Sequence, residues 1–156
     1  MEIRRAQGGD RDFVVEMAVL ACGLDDRPLP VPDDEAVRGL LPRPADLALV
    51  AAGDGGECLG CAWWHFHEPP LVRDERGEVL PEVTMAVAED ARGCGIGGRL
   101  LDELAAEAAG RFSALSLNVH MRNPAARLYM RNGFRVAGKG RGWYGVAMVR
   151  SLEGSS

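Results

Sequence analysis

No apolar run in this 156-residue chain approaches the roughly 18 residues a membrane-crossing helix needs. The opening Met1-Glu2-Ile3-Arg4-Arg5-Ala6-Gln7 also lacks the apolar segment of a secretory signal, so the expected location is cytoplasmic. Cysteine is scarce. Cys22, Cys58, Cys61 and Cys94 do not make a disulfide scaffold at this length, and free thiols are expected. Positive charge is in the minority, with 18 Lys+Arg against 23 Asp+Glu, a formal charge of -5 and a pI near 5.2. This argues against nucleic acid as a partner and suits a cationic one such as an amine. The remaining composition, 47% hydrophobic and 26% charged, is that of an ordinary globular protein. One domain over residues 1–156 is expected, long enough for a real core.

Glycine is concentrated in one place, with four glycines in the six residues Gly93-Cys94-Gly95-Ile96-Gly97-Gly98. The stretch Val87 to Leu101 joins a strand-like apolar run to an amphipathic helix through this loop. Glycines let successive N–H groups converge on one point, and the unpaired N–H groups of the helix's first turn face the same point. Arg92 and Arg99 flank the loop and add positive charge. The composition is that of an anion cradle. Gly93, Gly95 and Gly98 satisfy the dinucleotide pattern Gly-x-Gly-x-x-Gly, which also wants an acidic residue about 20 positions on. That region is Leu115-Ser116-Leu117-Asn118-Val119-His120, with no carboxylate, and the pattern fails its own test. A turn that binds nothing has no need of so many glycines.

Taken in order, Glu2 to Ala6 reads as an edge strand. Asp10 is placed to cap a helix that carries Phe13, Val14, Met17, Ala18 and Ala21 on one face and stops at Gly23. Asp25 to Pro44 holds five prolines and reads as a brief helix, around Ala36 to Leu41, between irregular loops. It is either a substrate wall or a plain connection. Asp46 to Ala52 and Cys58 to Phe66 read as a hairpin around Gly53-Asp54-Gly55-Gly56. Strand alternation puts Cys61, His65 and His67 on one face and Cys58 on the other. With no second Cys-x-x-Cys pair, no metal site is expected. Trp63 and Trp64 point to opposite faces, one as core and the other as a candidate pocket lining. Glu68 to Pro81 is a loop, a candidate lid or an ordinary excursion, that leads into the strand Glu82 to Val87.

From Ile96 a helix carries Leu100, Leu101, Leu104, Ala105 and Ala108 on one face and Asp102, Glu103, Glu107 and Arg111 on the other, ending near Gly110. Leu115 to His120 is the next strand. In Asn123-Pro124-Ala125-Ala126-Arg127-Leu128-Tyr129-Met130-Arg131-Asn132-Gly133-Phe134, Asn123 is a good N-cap, Pro124 suits the first helical position and Gly133 closes the helix. Phe134 to Ala137 and Trp143 to Val149 read as a closing hairpin across Gly138-Lys139-Gly140-Arg141-Gly142. Glu153 to Ser156 reads as a frayed tail.

Arg92-x-x-Gly95-x-Gly97, following Met85-Ala86-Val87, resembles the acetyl-CoA loop of the GNAT superfamily of N-acetyltransferases. Asn-Pro-Ala-Ala-x-Leu-Tyr-x-x-x-Gly-Phe, from Asn123 to Phe134, resembles that family's second signature. The two come in the family's order, Asn123 lying 31 residues after Arg92, and together they cover roughly Glu82 to Phe134.

The resemblance implies an α/β (α+β) fold with one mixed, mostly antiparallel sheet of about six to seven strands and about four helices. The sheet is expected to splay between its fourth strand, Glu82 to Val87, and its fifth, Leu115 to His120. Acetyl-CoA, as co-substrate and without a metal, would lie in that opening. By the same resemblance the backbone of Met85, Ala86 and Val87 pairs with the pantetheine arm. Arg92, Gly93, Cys94, Gly95, Ile96, Gly97 and Gly98 hold the pyrophosphate, and Asn123 contacts the cofactor near its pantetheine.

The implied reaction moves an acetyl group to a primary amine of a small molecule or a protein by direct attack on the thioester. An amine with a pKa of about 10 must first lose a proton, the developing oxyanion needs a donor, and the departing thiolate benefits from an acid. In the family a tyrosine at the position of Tyr129 protonates the sulfur. Glu82 is the candidate base, acting through water. Family members often carry this glutamate one residue earlier, at the place of Pro81, and a one-residue slip reverses the side chain's face unless a bulge restores it. His65, His67 and His120 are alternative bases. A non-catalytic acyl-CoA-binding sensor module would keep the glycine loop but need neither Tyr129 nor a base, so Tyr129 favours the enzyme. The acceptor depends on Asp25 to Leu47, Trp63 to Pro81 and Gly138 to Tyr144, none of which carries a specificity motif. Nucleic acid and membrane are not expected partners. Many proteins of this fold pair as dimers, which makes a homodimer an expectation here.

Overall fold

In a computed structural model, which describes residues 1–23 and 28–153, seven strands share one sheet. They are β1 (Glu2–Arg5), β2 (Ala48–Ala52), β3 (Cys58–His65), β4 (Glu82–Val87), β5 (Ala114–His120), β6 (Arg135–Lys139) and β7 (Gly145–Ser151). The α-helices are α1 (Arg11–Ala21), α2 (Glu35–Arg38), α3 (Ile96–Ala108) and α4 (Ala125–Arg131). The sheet order is β1-β2-β3-β4-β5-β7-β6, and every neighbouring pair is antiparallel except β4 with β5. The expected mixed sheet with four helices is thus observed.

The parallel pair is where the sheet opens. β4 and β5 share a single rung, Glu82 opposite Ser116. Ser116 donates both its N–H and its hydroxyl to the Pro81 carbonyl, each at 2.9 Å. Beyond that rung the strands part, each held on its far side by a long antiparallel partner: β3 from His65 to Gly60 and β7 from Gly145 to Ser151. The gap is therefore framed by two well-bonded ribbons.

Strand alternation divides the core between the sheet's two faces. On one face Leu100, Leu101 and Leu104 of α3, all at or below 1% exposure, pack with Trp64, Met85, Leu115, Leu117, Tyr129 and Phe134. Each such leucine contributes about 2 kcal/mol of hydrophobic burial. On the other face Val14, Met17 and Ala18 of α1 pack with Val37, Val50, Cys61, Trp63 and Ala86.

Several expectations are corrected by these contacts. Asp10 does not cap α1 with its side chain. Its carboxylate instead accepts from the Gln7 N–H at 2.7 Å and from the Arg4 guanidinium at 2.7 and 3.1 Å, because Arg4 on the neighbouring edge strand offers a charged donor. Neither tryptophan lines a pocket: both are buried, one in each core, with the Trp63 indole N–H donating to the Leu40 carbonyl at 2.7 Å. Cys58 does not lie opposite Cys61, because an irregularity beside Leu59 shifts the β2–β3 register and turns Cys58 back to the α1 face. All four cysteines carry free thiols, and no group of three or more His, Cys, Asp or Glu able to hold a metal occurs among the described residues. β7 begins at Gly145, so Trp143 and Tyr144 belong to the loop before it and are exposed. Residues 24–27, part of the expected irregular segment, and 154–156 of the expected tail lie outside the described residues. No helix among the described residues is long and apolar enough to cross a membrane.

Candidate active site

The glycine-rich loop leaves β4, makes one 3-10 turn over Glu89–Ala91 and enters α3 at Ile96. Gly93 and Gly95 have φ of 81° and 78°, the left-handed region that side chains disfavour, and a Cβ on either would point into open space. Gly97 and Gly98 are small for another reason. A Cβ on Gly97 would lie 3.0 Å from Leu128 of α4 and 3.1 Å from Met85 of β4, and one on Gly98 would lie 3.2 Å from the Asn132 side chain. The loop, the central strand and α4 therefore meet at the start of α3. The first helical N–H to find a backbone partner is that of Arg99, on the Gly95 carbonyl at 3.2 Å. The amides before it are left facing outward, with Arg92 and Arg99 exposed beside them. This donor set suits a phosphate anion.

The gap beside the loop has an unpaired strand edge. The β3–β4 register runs unbroken from His65–Glu82 to Gly60–Val87, so β4 contains no bulge. No bulge restores the face lost by the one-residue slip, and Glu82 falls with Thr84 and Ala86 on the α1 face, while Val83 and Met85 face α3. Because Pro81 directs its carbonyl to β5, two-residue alternation aims the backbone N–H and C=O of Val83, Met85 and Val87 the same way. Past the single shared rung, Met85 has no strand opposite it. Ala86 bonds back toward β3, and the Val87 carbonyl accepts from the Arg92 guanidinium at 3.2 Å.

Helix α4 carries Tyr129 and is fixed at both ends by local chemistry. The Asn123 side-chain oxygen accepts the Ala125 N–H at 2.9 Å. At the other end Gly133, with φ of 89°, lets its own N–H reach Met130 O at 3.3 Å and the Phe134 N–H reach Tyr129 O at 3.0 Å. The Phe134 ring packs edge-on to Tyr129 at 5.9 Å, the apolar contact that accompanies this type of helix end. Tyr129 is thereby held rigidly. Burial pushes its phenol up to about 12, so the hydroxyl keeps its proton at neutral pH.

At the other end of the gap sits a polar cluster. Glu82 is buried, and its carboxylate is gripped by the Arg141 guanidinium through two bonds of 2.5 and 2.7 Å. His65, opposite Glu82 in the register, shares a 2.8 Å hydrogen bond between Nε2 and Thr84 Oγ1, while its Nδ1 is buried without a partner. Burial brings the His65 imidazole down to about 4, outweighing the attraction of Glu82, so it is neutral at pH 7. His120 is further off, at the end of β5, where its Nδ1 accepts the Arg122 N–H at 3.1 Å. His67 lies 6.0 Å, ring to ring, from His65.

The residues singled out in the sequence thus fall into two groups. The loop residues 92–98 and Met85 meet at the start of α3 beside Leu128, the neighbour of Tyr129 on α4, and Glu82 lies apart, at the rung where β4 and β5 separate. Sequence reasoning missed Arg141 and Asn118, whose Oδ1 accepts the Arg141 N–H at 2.8 Å. The one available signal was an arginine bracketed by glycines in the expected hairpin loop.

A family model described as the acetyltransferase (GNAT) domain matches residues 44–136. A curated relative, the 5-NmdU N-acetyltransferase of Pseudomonas phage PaMx11, is 39% identical over 67 residues. That match covers 42% of this chain and 46% of the relative, so it spans less than half of the relative's length. Among solved structures, the ribosomal-protein-alanine N-acetyltransferase of Brucella melitensis is 24% identical with a TM-score of 0.70, covering 97% of this chain and 99% of that one. A phosphinothricin acetyltransferase of the GNAT superfamily from Sinorhizobium meliloti, solved in complex with AcCoA, is 20% identical with a TM-score of 0.69, covering 99% and 90%. These two likenesses establish the shared fold.

Proposed function

Because the chain belongs to the acetyltransferase (GNAT) family, we propose that it is an acetyl-CoA-dependent N-acetyltransferase acting on a primary amine of a small molecule or a protein. The observation that carries this proposal is the meeting of the outward-facing amides of the loop with Met85 of β4 and Leu128 of α4, one residue from Tyr129. When bound, acetyl-CoA supplies an acetyl group activated as a thioester.

The chain's own residues supply the rest. The amides of Gly93, Cys94, Gly95, Ile96, Gly97 and Gly98, with Arg92, hold the diphosphate. The strand edge of Met85, Ala86 and Val87 pairs with the pantetheine arm through the unpaired backbone of Met85, since the Ala86 backbone is held by β3, and Asn123 contacts the cofactor near its pantetheine. Tyr129 gives its hydroxyl proton to the departing sulfur, a role for which a protonated, rigidly held phenol is suited. Glu82 takes the ammonium proton through water. Both of its oxygens are occupied by Arg141, so this role requires the guanidinium to move aside. A cytoplasmic location, which four free thiols suit, and a homodimer belong to the same proposal.

The test is calorimetric titration with acetyl-CoA, with NADH and NADP as controls, followed by thiol release in the presence of a panel of amines. Binding with amine-dependent release is the expected result. Binding without release from any amine would make the chain an acyl-CoA sensor, and no binding at all would remove both readings.

A further inference from the structure

Arg141 is a charged side chain at the gap to which the transfer chemistry gives no work while it stays in place. It lies in the β6–β7 loop, 59 residues from Glu82 in sequence, yet its fork fits the carboxylate with Nη1 on Oε1 and Nη2 on Oε2. Nη2 also donates to the Pro69 carbonyl at 3.0 Å, so the guanidinium ties the β6–β7 loop to β4 and to the loop before it. The Glu82 side chain is 5% exposed and that of Arg141 is 32% exposed. The carboxylate therefore depends on its partner, while the guanidinium has one side open to solvent.

This pairing constrains what can be acetylated. A primary amine arrives as an ammonium. With Arg141 in place it would meet a carboxylate already neutralised and a like charge beside it. With Arg141 displaced and nothing offered in return, the guanidinium would lose a bidentate partner that is stronger than any neutral acceptor. An acceptor that brings its own acid group removes both penalties, because the two ion pairs simply exchange partners.

We infer that the acceptor is an amine that also carries an anionic acid group, and that Arg141 recognises this group while Glu82 receives the ammonium. This inference rests on the N-acetyltransferase proposal and deepens it. The surroundings of Arg141 agree with it. A cavity of about 270 Å³, the size for a small acceptor, is lined by Asn118, His120, Trp143 and Tyr144 with Arg141 in its wall. Arg122 lies over the Tyr144 ring at 5.6 Å and adds positive charge at the rim. The backbone here is seated: a Cβ on Gly140 would run into Asn118, and one on Gly145 into the Arg141 carbonyl. The exchange asks for a swing of the Arg141 side chain, while the backbone N–H of Arg141 stays on Asn118 Oδ1. A carboxylate and a phosphate both fit a guanidinium fork.

The experiment is thiol release from acetyl-CoA with two matched acceptor pairs: an α-amino acid against its carboxamide, and phosphoethanolamine against ethanolamine. The wild-type protein is expected to favour the acidic member of one pair by at least about tenfold in kcat/KM, mainly through KM. The favoured pair tells carboxylate from phosphate. Arg141→Gln is expected to bring the ratio within that pair close to one, and Arg141→Lys to restore part of it. Calorimetric binding of acetyl-CoA by both variants shows that they remain folded. Release with no preference for the acidic member of either pair, or a preference that survives in Arg141→Gln, overturns this inference alone. Acetyl-CoA binding without release from any amine overturns the enzyme proposal, and this inference with it.

Discussion

The two ends of the gap between β4 and β5 are built in opposite ways. The loop end is made of backbone: amides freed by two left-handed glycines and by the first turn of α3, with no buried charge. The far end is made of side chains: buried Glu82, His65 and Thr84 and half-buried Arg141, drawn from two strands and a loop and set beside one another. A backbone site suits a ligand whose charge never changes, such as a diphosphate, because amides cannot titrate and cost no rearrangement. A side-chain site suits a ligand that must lose a proton, because its charges can be moved and re-paired.

This contrast can be broken at either end. The largest effect is expected from Gly95→Val, which forces a β-branched residue into φ of 78° and should weaken acetyl-CoA binding by about 100-fold or more. Calorimetry checks it, and tight binding by the variant would remove the cradle assignment. Next, Tyr129→Phe keeps the ring against Phe134 but deletes the proton. It should lower kcat about 100-fold with little change in acetyl-CoA affinity, and equal turnover in variant and parent would end the general-acid role. Glu82→Gln should reduce kcat/KM by about 10-fold or more and alter the pH–rate profile. An unchanged profile would eliminate Glu82 as the proton acceptor.

The smallest effect is one of stability and belongs to the side-chain end alone. His65 has its folded-state pKa depressed, from an ordinary 6.5 to about 4. Between these values the unfolded chain binds the proton and the folded chain does not, so stability is full above about 6.5 and is lost as pH falls toward 4. Lowering the pH from 7 to 5.5 should cost about 1 kcal/mol through this group. Urea unfolding at the two pH values measures it, and His65→Gln should flatten the difference. A slope unchanged in the variant would mean that His65 is not the group responsible.

The same contrast governs how much of the site was legible in the sequence. Helix α4 could be read end to end because Asn123, Gly133 and Phe134 act on neighbours within a few residues. The loop could be read for the same reason. Glu82 could be picked out but not placed. The side that its carboxylate faces depends on the register with β3, which contains no bulge, and its partner comes from 59 residues away. Asp10 looked like a helix cap because nothing local announced that Arg4 would compete for it. Trp63 and Trp64 were correctly set on opposite faces, yet only the helices packed on both sides of the sheet made each of them core.

By itself the sequence determined the amide-lined loop, the helix that follows it and the rigid seat of Tyr129, because glycine, proline and capping residues act through backbone geometry at short range. Only the tertiary structure decided the sheet order β4-β5-β7 and, through it, that Arg141 closes on Glu82 and that His65 is buried neutral beside them. Charge pairing and desolvation depend on which distant segments meet, and no local pattern of residues encodes that meeting.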